Sequence, residues 1–222
     1  MKKGLVVLTL LLVLASCTGQ SPVPPGECLP WLEELVQTNS SQAWQMIQGR
    51  SLTLNLAVGA VSKEGTLSVQ ESDALRMMID LGQETAAELQ TGQVLTVQGT
   101  AAAFSDGFLP VITLSPARVV TDTFQVTEKI QTIYTDVNGT WRKYCVFDDH
   151  GVLPGRQLVV FLPEDSELSP GDRITATGKL RCAMGLGFAM APNVSVSEML
   201  FMDEPVIERI VGEADSEDAE AR

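Results

Sequence analysis

The chain has 222 residues, 45% of them hydrophobic, with 15 lysines and arginines against 28 aspartates and glutamates, one histidine and a net charge of −13. Affinity for nucleic acid comes largely from basic side chains that neutralise phosphates and release counterions, so this balance, with no basic patch anywhere, argues against a nucleic-acid partner. With a single histidine and no GxSxG, HExxH or glycine-rich phosphate loop, most hydrolase and nucleotide-binding templates are also absent, and the sequence reads as non-enzymatic, with no cofactor and no metal site.

The chain opens with MKKGLVVLTLLLVLASC, two lysines followed by an apolar run from Leu5 to Leu14. That run is shorter than the roughly 20 residues of a transmembrane helix and ends in small residues, so residues 1–16 read as a secretory signal peptide. Leu14-Ala15-Ser16-Cys17 resembles the lipobox of bacterial lipoproteins. The resemblance implies cleavage before Cys17 and acylation of its thiol and new amino terminus. More than one acyl chain, at about 0.8 kcal/mol per buried methylene, anchors a protein to a membrane without a spanning helix. Thr18, where an aspartate would resemble an inner-membrane retention signal, favours the outer membrane in a host with two membranes. Removal of the signal leaves 13 basic and 28 acidic side chains, a net charge of −15.

Residues 17–29, with Pro22, Pro24, Pro25, Gly19 and Gly26, read as an extended linker that carries the lipidated cysteine. From residue 30, Leu32, Leu35, Val36, Ala43, Met46 and Ile47 fall at spacings suited to one or two short amphipathic helices, interrupted near Asn39, with Ser40 or Ser41 as the cap of the second. From Ser51 the period changes to two, giving five strands: SLTLNLAVGAV, TLSVQ, ALRMMIDL, VLTVQGTAAAF and FLPVITL. Five more follow in residues 121–200: FQVTEKIQTIY, TWRKYCVF, RQLVVFLP, RITATGKLRCAM and GFAMAPNVSVSE. Residues 201–222 carry a charge of −6 and read as an acidic tail, disordered towards its end.

The two sets repeat one another. LQTGQVLTVQGTA at 89–101 returns 79 positions later as LSPGDRITATGKL at 168–180, and EGTL at 64–67 matches NGTW at 138–141 at the first turn, where Asn138-Gly139 is a strong hairpin signal. GQETAAELQTG after the third strand is long enough for about two helical turns, and EDSELSPG in the second set for about one. A helix between strands three and four marks the OB-fold, a small five-stranded Greek-key barrel. The fold class is therefore mainly all-β: two tandem five-stranded OB-like barrels, residues 30–120 with the helical segment and residues 121–200. In the repeated phrase, Gly92 and Gly171 suit the turn into strand four, Gly99 and Gly178 a sharp barrel bend. Leu95 and Val97, matched by Ile174 and Ala176, face a core, and Thr96 and Gln98, matched by Thr175 and Thr177, face water.

The stretch ELVQTNSSQAWQMIQGRSLTLNLAVGAV, together with LQTGQVLTVQGTA, resembles the bacterial tRNA-anti-like OB-fold family, many of whose members are predicted lipoproteins. Leu35, Asn39 and Ala43 match the family's helix, Gly49-Arg50 stands where it has Gly-Lys, and Ile47 replaces a usual aromatic. The resemblance covers about residues 33–120 directly and implies an OB-fold.

Beyond Cys17, parity on the strands turns Cys145 and Cys182 towards the second barrel's interior. In an oxidising envelope they form a disulfide or pack as small apolar groups, with Cys28 unpaired or replacing one of them. Asp148-Asp149-His150 reads as a polar turn, since three consecutive side chains at a strand end do not converge easily on one ion. An OB barrel conventionally binds ligands on the outer face of strands two and three, where the second module would present Arg142 and Tyr144, near Arg156. The equivalent strand of the first module has neither an aromatic nor a basic residue. The leading expectation is a lipid-anchored envelope protein acting through protein contacts or as a structural module. The alternative is a ligand-binding OB protein taking an oligonucleotide or glycan on the second module.

Overall fold

A computed structural model describes residues 23–69, 74–135, 142–182 and 199–210. The chain enters it as α1 (Pro25–Ile47), which starts inside the stretch expected to be a linker. Proline at the first helical position loses no bond, because that N–H has no partner in a helix anyway. Pro30, five residues further on, does remove one intrahelical bond, and the burial of Cys28, Leu29 and Leu32 favours the helix all the same. The expected interruption is present: Asn39 leaves the helical region at φ −164°. The cap of the second half is Asn39 itself rather than Ser40 or Ser41, its Oδ1 accepting the Gln42 N–H at 3.0 Å.

The first module follows as β1 (Ser51–Ala57), β2 (Ala60–Val61), β3 (Thr66–Val69), β4 (Arg76–Asp80), α2 (Gln83–Ala87), β5 (Val94–Ser105) and β6 (Val111–Thr121). Its strand order is β1-β5-β6-β4-β3-β2, antiparallel except where β4 runs parallel to β6. β1 and β2 are two halves of one run, bent at Val58-Gly59, with β1 on β5 and β2 on β3. One strand thus serves both ends of the order, which closes the five-stranded OB barrel.

The second module repeats this with β7 (Thr123–Lys129), β8 (Ile133–Thr135), β9 (Lys143–Phe147), β10 (Gln157–Phe161), β11 (Arg173–Cys182) and β12 (Met199–Ile210). The order β7-β11-β12-β10-β9-β8 is position for position the same, including the one parallel pair, β10 with β12. The connection before β11 has turns and no helix, unlike α2 in the first module. The fifth strand is Met199–Ile210, most of which was expected to be tail. The segment first read as that strand, 187–198, lies outside the described residues, as do the signal peptide, Cys17 and Asn138-Gly139.

The repeated phrase has the same structural job twice. Gly92 and Gly171 take φ of 84° and 105°, open to glycine at little cost. Their N–H groups donate to the carbonyls of Val58 and Ile130, each at 2.8 Å, while the N–H groups of Val58 and Ile130 donate to Gln93 and Asp172, each at 2.8 Å. The turn before strand four therefore clamps the bend of strand one in both barrels. Gly99 and Gly178 instead lie where strand five crowds strand four: a Cβ on Gly99 would come within 2.8 Å of the Ala117 Cβ, and one on Gly178 within 2.9 Å of the Met202 Cγ. Register shifts occur at both places, and Pro116 and Pro205 mark the irregular strand opposite.

The apolar stripe of α1, including Leu32, Val36, Ala43 and Ile47, joins Leu54, Leu56, Leu95 and Val97 in the core of the first barrel. Gly49 and Arg50 tie the end of the helix to β5 through reciprocal bonds with Ala101, both 2.9 Å. A second core fills the second barrel and takes in Ala57 and Val94 from the first.

Candidate functional site

On β9 and β10 the side chains divide by parity. Cys145, Phe147, Leu158 and Val160 enter the second core, and Tyr144, Val159 and Phe161 turn to the opposite face, where they pack with Met199 and Phe201. The register sets Phe161 opposite Tyr144, and Tyr144 opposite Tyr134 on β8. Ring centroids follow at 5.3 Å from Tyr134 to Tyr144, 6.2 Å to Phe161 and 6.2 Å to Phe201, within the range of favourable aromatic pairs. The Arg142 guanidinium lies 4.3 Å from the Phe161 centroid, a cation–π contact. Two of the expected face residues, Arg142 and Tyr144, are thus brought together through Phe161. Sequence reading missed Phe161 and Tyr134, because choosing them requires the register between strands. The face is covered: Tyr144 is 5% exposed, Phe161 3% and Phe201 0%. A base cannot stack on a ring so enclosed without a rearrangement.

Arg156 is not part of that face. Its Nη1 donates to the Cys182 Sγ at 3.2 Å. Cys28, Cys145 and Cys182 are all thiols, so of the two alternatives left open for Cys145 and Cys182 the structure has separate thiols. The strand order explains this: β12 and β10 separate β11 from β9. At about 4.8 Å per strand, that exceeds the Cα separation a disulfide spans. Burial pushes the Cys28 and Cys145 thiols up to about 12.

His150 lies in the turn foreseen for it, and both ring nitrogens are engaged. The Val152 N–H donates to Nδ1 at 3.3 Å, which makes Nδ1 an acceptor, so Nε2 carries the proton and donates to the Arg156 carbonyl at 2.9 Å. Asp148 accepts from the Gln157 side chain at 2.6 Å. Among the described residues no three His, Cys, Asp or Glu side chains gather as metal ligands would.

The loop that His150 braces is where the second module meets the first. The Val152 carbonyl accepts from Asn55 Nδ2 at 2.9 Å, and Asn55 Oδ1 accepts from the Thr96 hydroxyl at 2.7 Å. Asn55 and Thr96 are 6% and 7% exposed, so this polar chain is buried and its members satisfy one another. Thr96, expected in water, is covered because the loop docks there. Beside it, Gly26 lies so close to the Gly151 and Val152 carbonyls that a Cβ would collide with both. An isolated bridge, Gln93 to Arg181, and a 2.7 Å bond from the Cys182 N–H to the Gly92 carbonyl complete the junction.

Fold and site together define a protein of two OB-like modules joined through a buried polar junction, with a covered aromatic face on the second. No protein-family model matches the chain. No curated protein matches it either. Among solved structures it is similar to the single-stranded DNA binding protein from Thermus aquaticus, at 12% identity and a TM-score of 0.30, over 74% of this chain and 95% of that one. So low a TM-score carries no functional argument, and the OB assignment rests on strand order and register.

Proposed function

We infer that this chain is a lipid-anchored protein of the bacterial envelope, related to the tRNA-anti-like OB lipoproteins, whose two modules form a non-enzymatic body that works through contacts with another envelope protein. The observation that carries this reading is the covered aromatic face. Tyr144, Phe161 and Phe201 occupy the surface on which an OB barrel conventionally holds its ligand, and they are spent on internal packing. The strong acidity agrees with a partner other than nucleic acid. The anchor rests on the lipobox at Cys17, and in a host with two membranes the absence of aspartate after it favours the outer one. Crosslinking in the native envelope tests the partner: a reproducible protein adduct is expected, and adducts to peptidoglycan or nucleic acid alone would overturn the reading. Cys17→Ser tests the anchor, with release into the soluble fraction expected and retention in the membrane counting against it.

A second reading is favoured by one feature. Four rings in sequence with Arg142 at their side make a stacking platform for an oligonucleotide or glycan once the face opens. Titration with labelled oligonucleotides and glycans at low salt decides: saturable binding lost in Tyr144→Ala establishes this reading in place of the first.

A further inference from the structure

We propose that the junction between the modules is an acid-released latch: a proton on His150 Nδ1 displaces the Val152 N–H and loosens the loop whose carbonyl holds Asn55.

The chemistry follows from the hydrogen-bond directions. In the neutral ring Nδ1 accepts from the Val152 N–H and Nε2 donates to the Arg156 carbonyl. An imidazolium has two donors and no acceptor, so the Nε2 bond survives while Nδ1–H meets the Val152 N–H head on. Residue 152 is also the contact with the first module, because its carbonyl accepts from Asn55 at 2.9 Å. A single residue, Val152, therefore links the ring to the junction. The neighbouring carbonyl, Gly151, packs against Gly26, leaving no slack in which the loop could shift while docked.

Three groups favour the cation: the Arg156 carbonyl, Asp149 beside the ring and Glu128 on β7. Burial outweighs them and holds the docked ring below its ordinary value of 6.5. Asp148 is held by Gln157, the Arg156 guanidinium is directed at Cys182, and what the first module brings to the loop, Gly26 and Asn55, is uncharged. A released ring titrates near 6.5 and a docked one lower. The junction is thus at full strength above 6.5 and weakens as pH falls through the interval below it.

The test is amide exchange on the full chain, corrected for the intrinsic pH dependence, at about pH 7.5 and about pH 5.5, where carboxylates stay ionised. Protection of 148–156 and 92–96 is expected to fall by up to about tenfold at the lower pH while β6 stays protected. His150→Gln, whose amide can accept from Val152 and donate to Arg156, is expected to keep protection at both pH values. An unchanged wild type, or an equal fall in His150→Gln, overturns the proposal. Should His150→Gln fail to fold, imidazole nitrogen spectra of the wild type decide the matter: a proton on Nε2 at about pH 7.5 and titration together with loss of protection are expected. A proton on Nδ1 at that pH, or titration without loss of protection, refutes the latch.

Discussion

Gly99 and Gly178 share a place in the repeated phrase but have different neighbours, and the neighbours set what each tolerates. A Cβ on Gly99 meets Cβ atoms of Ala117 and Leu114 at 2.8 and 2.9 Å, atoms fixed to the opposite backbone. A Cβ on Gly178 meets the Cγ and Sδ of Met202 at 2.9 and 3.3 Å, part of a flexible side chain that can repack. Gly99→Ala is therefore expected to cost about 1–3 kcal/mol by overpacking. Gly178→Ala should cost less, because the Met202 side chain can turn aside within its core and the roughly 0.4–1 kcal/mol that alanine gains by restricting the unfolded chain offsets part of that repacking. Thermal unfolding of the two variants checks the order, and equal losses would contradict this account. The thiols differ in the same residue-specific way. Cys28 and Cys145 are buried and pushed up to about 12, so almost no thiolate forms at neutral pH. Cys182 is half-buried beside the Arg156 guanidinium. Alkylation of the native chain should modify Cys182 before either of the others, as peptide mapping would reveal.

At the scale of elements, β12 is the strand on which the second barrel depends, since it bridges β10 and β11. Ending the chain after Met202 removes its pairings from Asp203 to Ile210 with β11 and leaves one side of β11 without a ladder partner over that length. Such a chain is expected to lose the second module and to leave β1–β6 folded at room temperature but less protected than in the full chain, as amide exchange by segment would show; a protected β11 would refute this. The sequence hid this strand for a physical reason. MDEPVIERI has two adjacent pairs of charges, Asp203-Glu204 and Glu208-Arg209, and a proline, which reads as a solvated tail, yet Pro116 stands at the matching irregularity in β6. Matching Pro205 to Pro116 was the available signal. The other nine strands were easier to read because period-two alternation is local, and the repeat supplied the topology. Helix α1 was misread at its start because three prolines in four residues look like a linker, while the burial of Cys28 and Leu29 that stabilises the turn depends on distant strands. The candidate face was legible in Arg142 and Tyr144 and incomplete without Phe161, which lies on another strand. The junction was not legible at all. Thr96 and Asn55 alternate as ordinary outward residues, and only docking of residues some 50 to 100 positions away buries them.

For the whole molecule, the question is whether two barrels with the same topology behave as one body. Ala57 and Val94 of the first module belong to the second core, Asn55 satisfies a carbonyl of the second module, and α1 closes the seam at Gly26. Losing the second module would expose the first module's apolar seam and exchange the Asn55–Val152 hydrogen bond for one to water, about 0.5–1.5 kcal/mol for that bond alone. The barrels should therefore unfold together in a single calorimetric transition. Gly26→Ala isolates that coupling. Alanine is the best helix former and suits α1 at this position, so the helix itself does not suffer. Its Cβ nevertheless strikes the Gly151 and Val152 carbonyls, and the buried Cys28 and Leu29 resist withdrawal of the first turn. Strain falls on the loop, which is held by His150 on one side and by Asn55 on the other. The variant is expected to split the transition in two, both parts below the original temperature, with the second module, which carries the strained loop, melting first. A single unshifted transition in Gly26→Ala would mean that the close approach at Gly26 carries none of the coupling between the barrels.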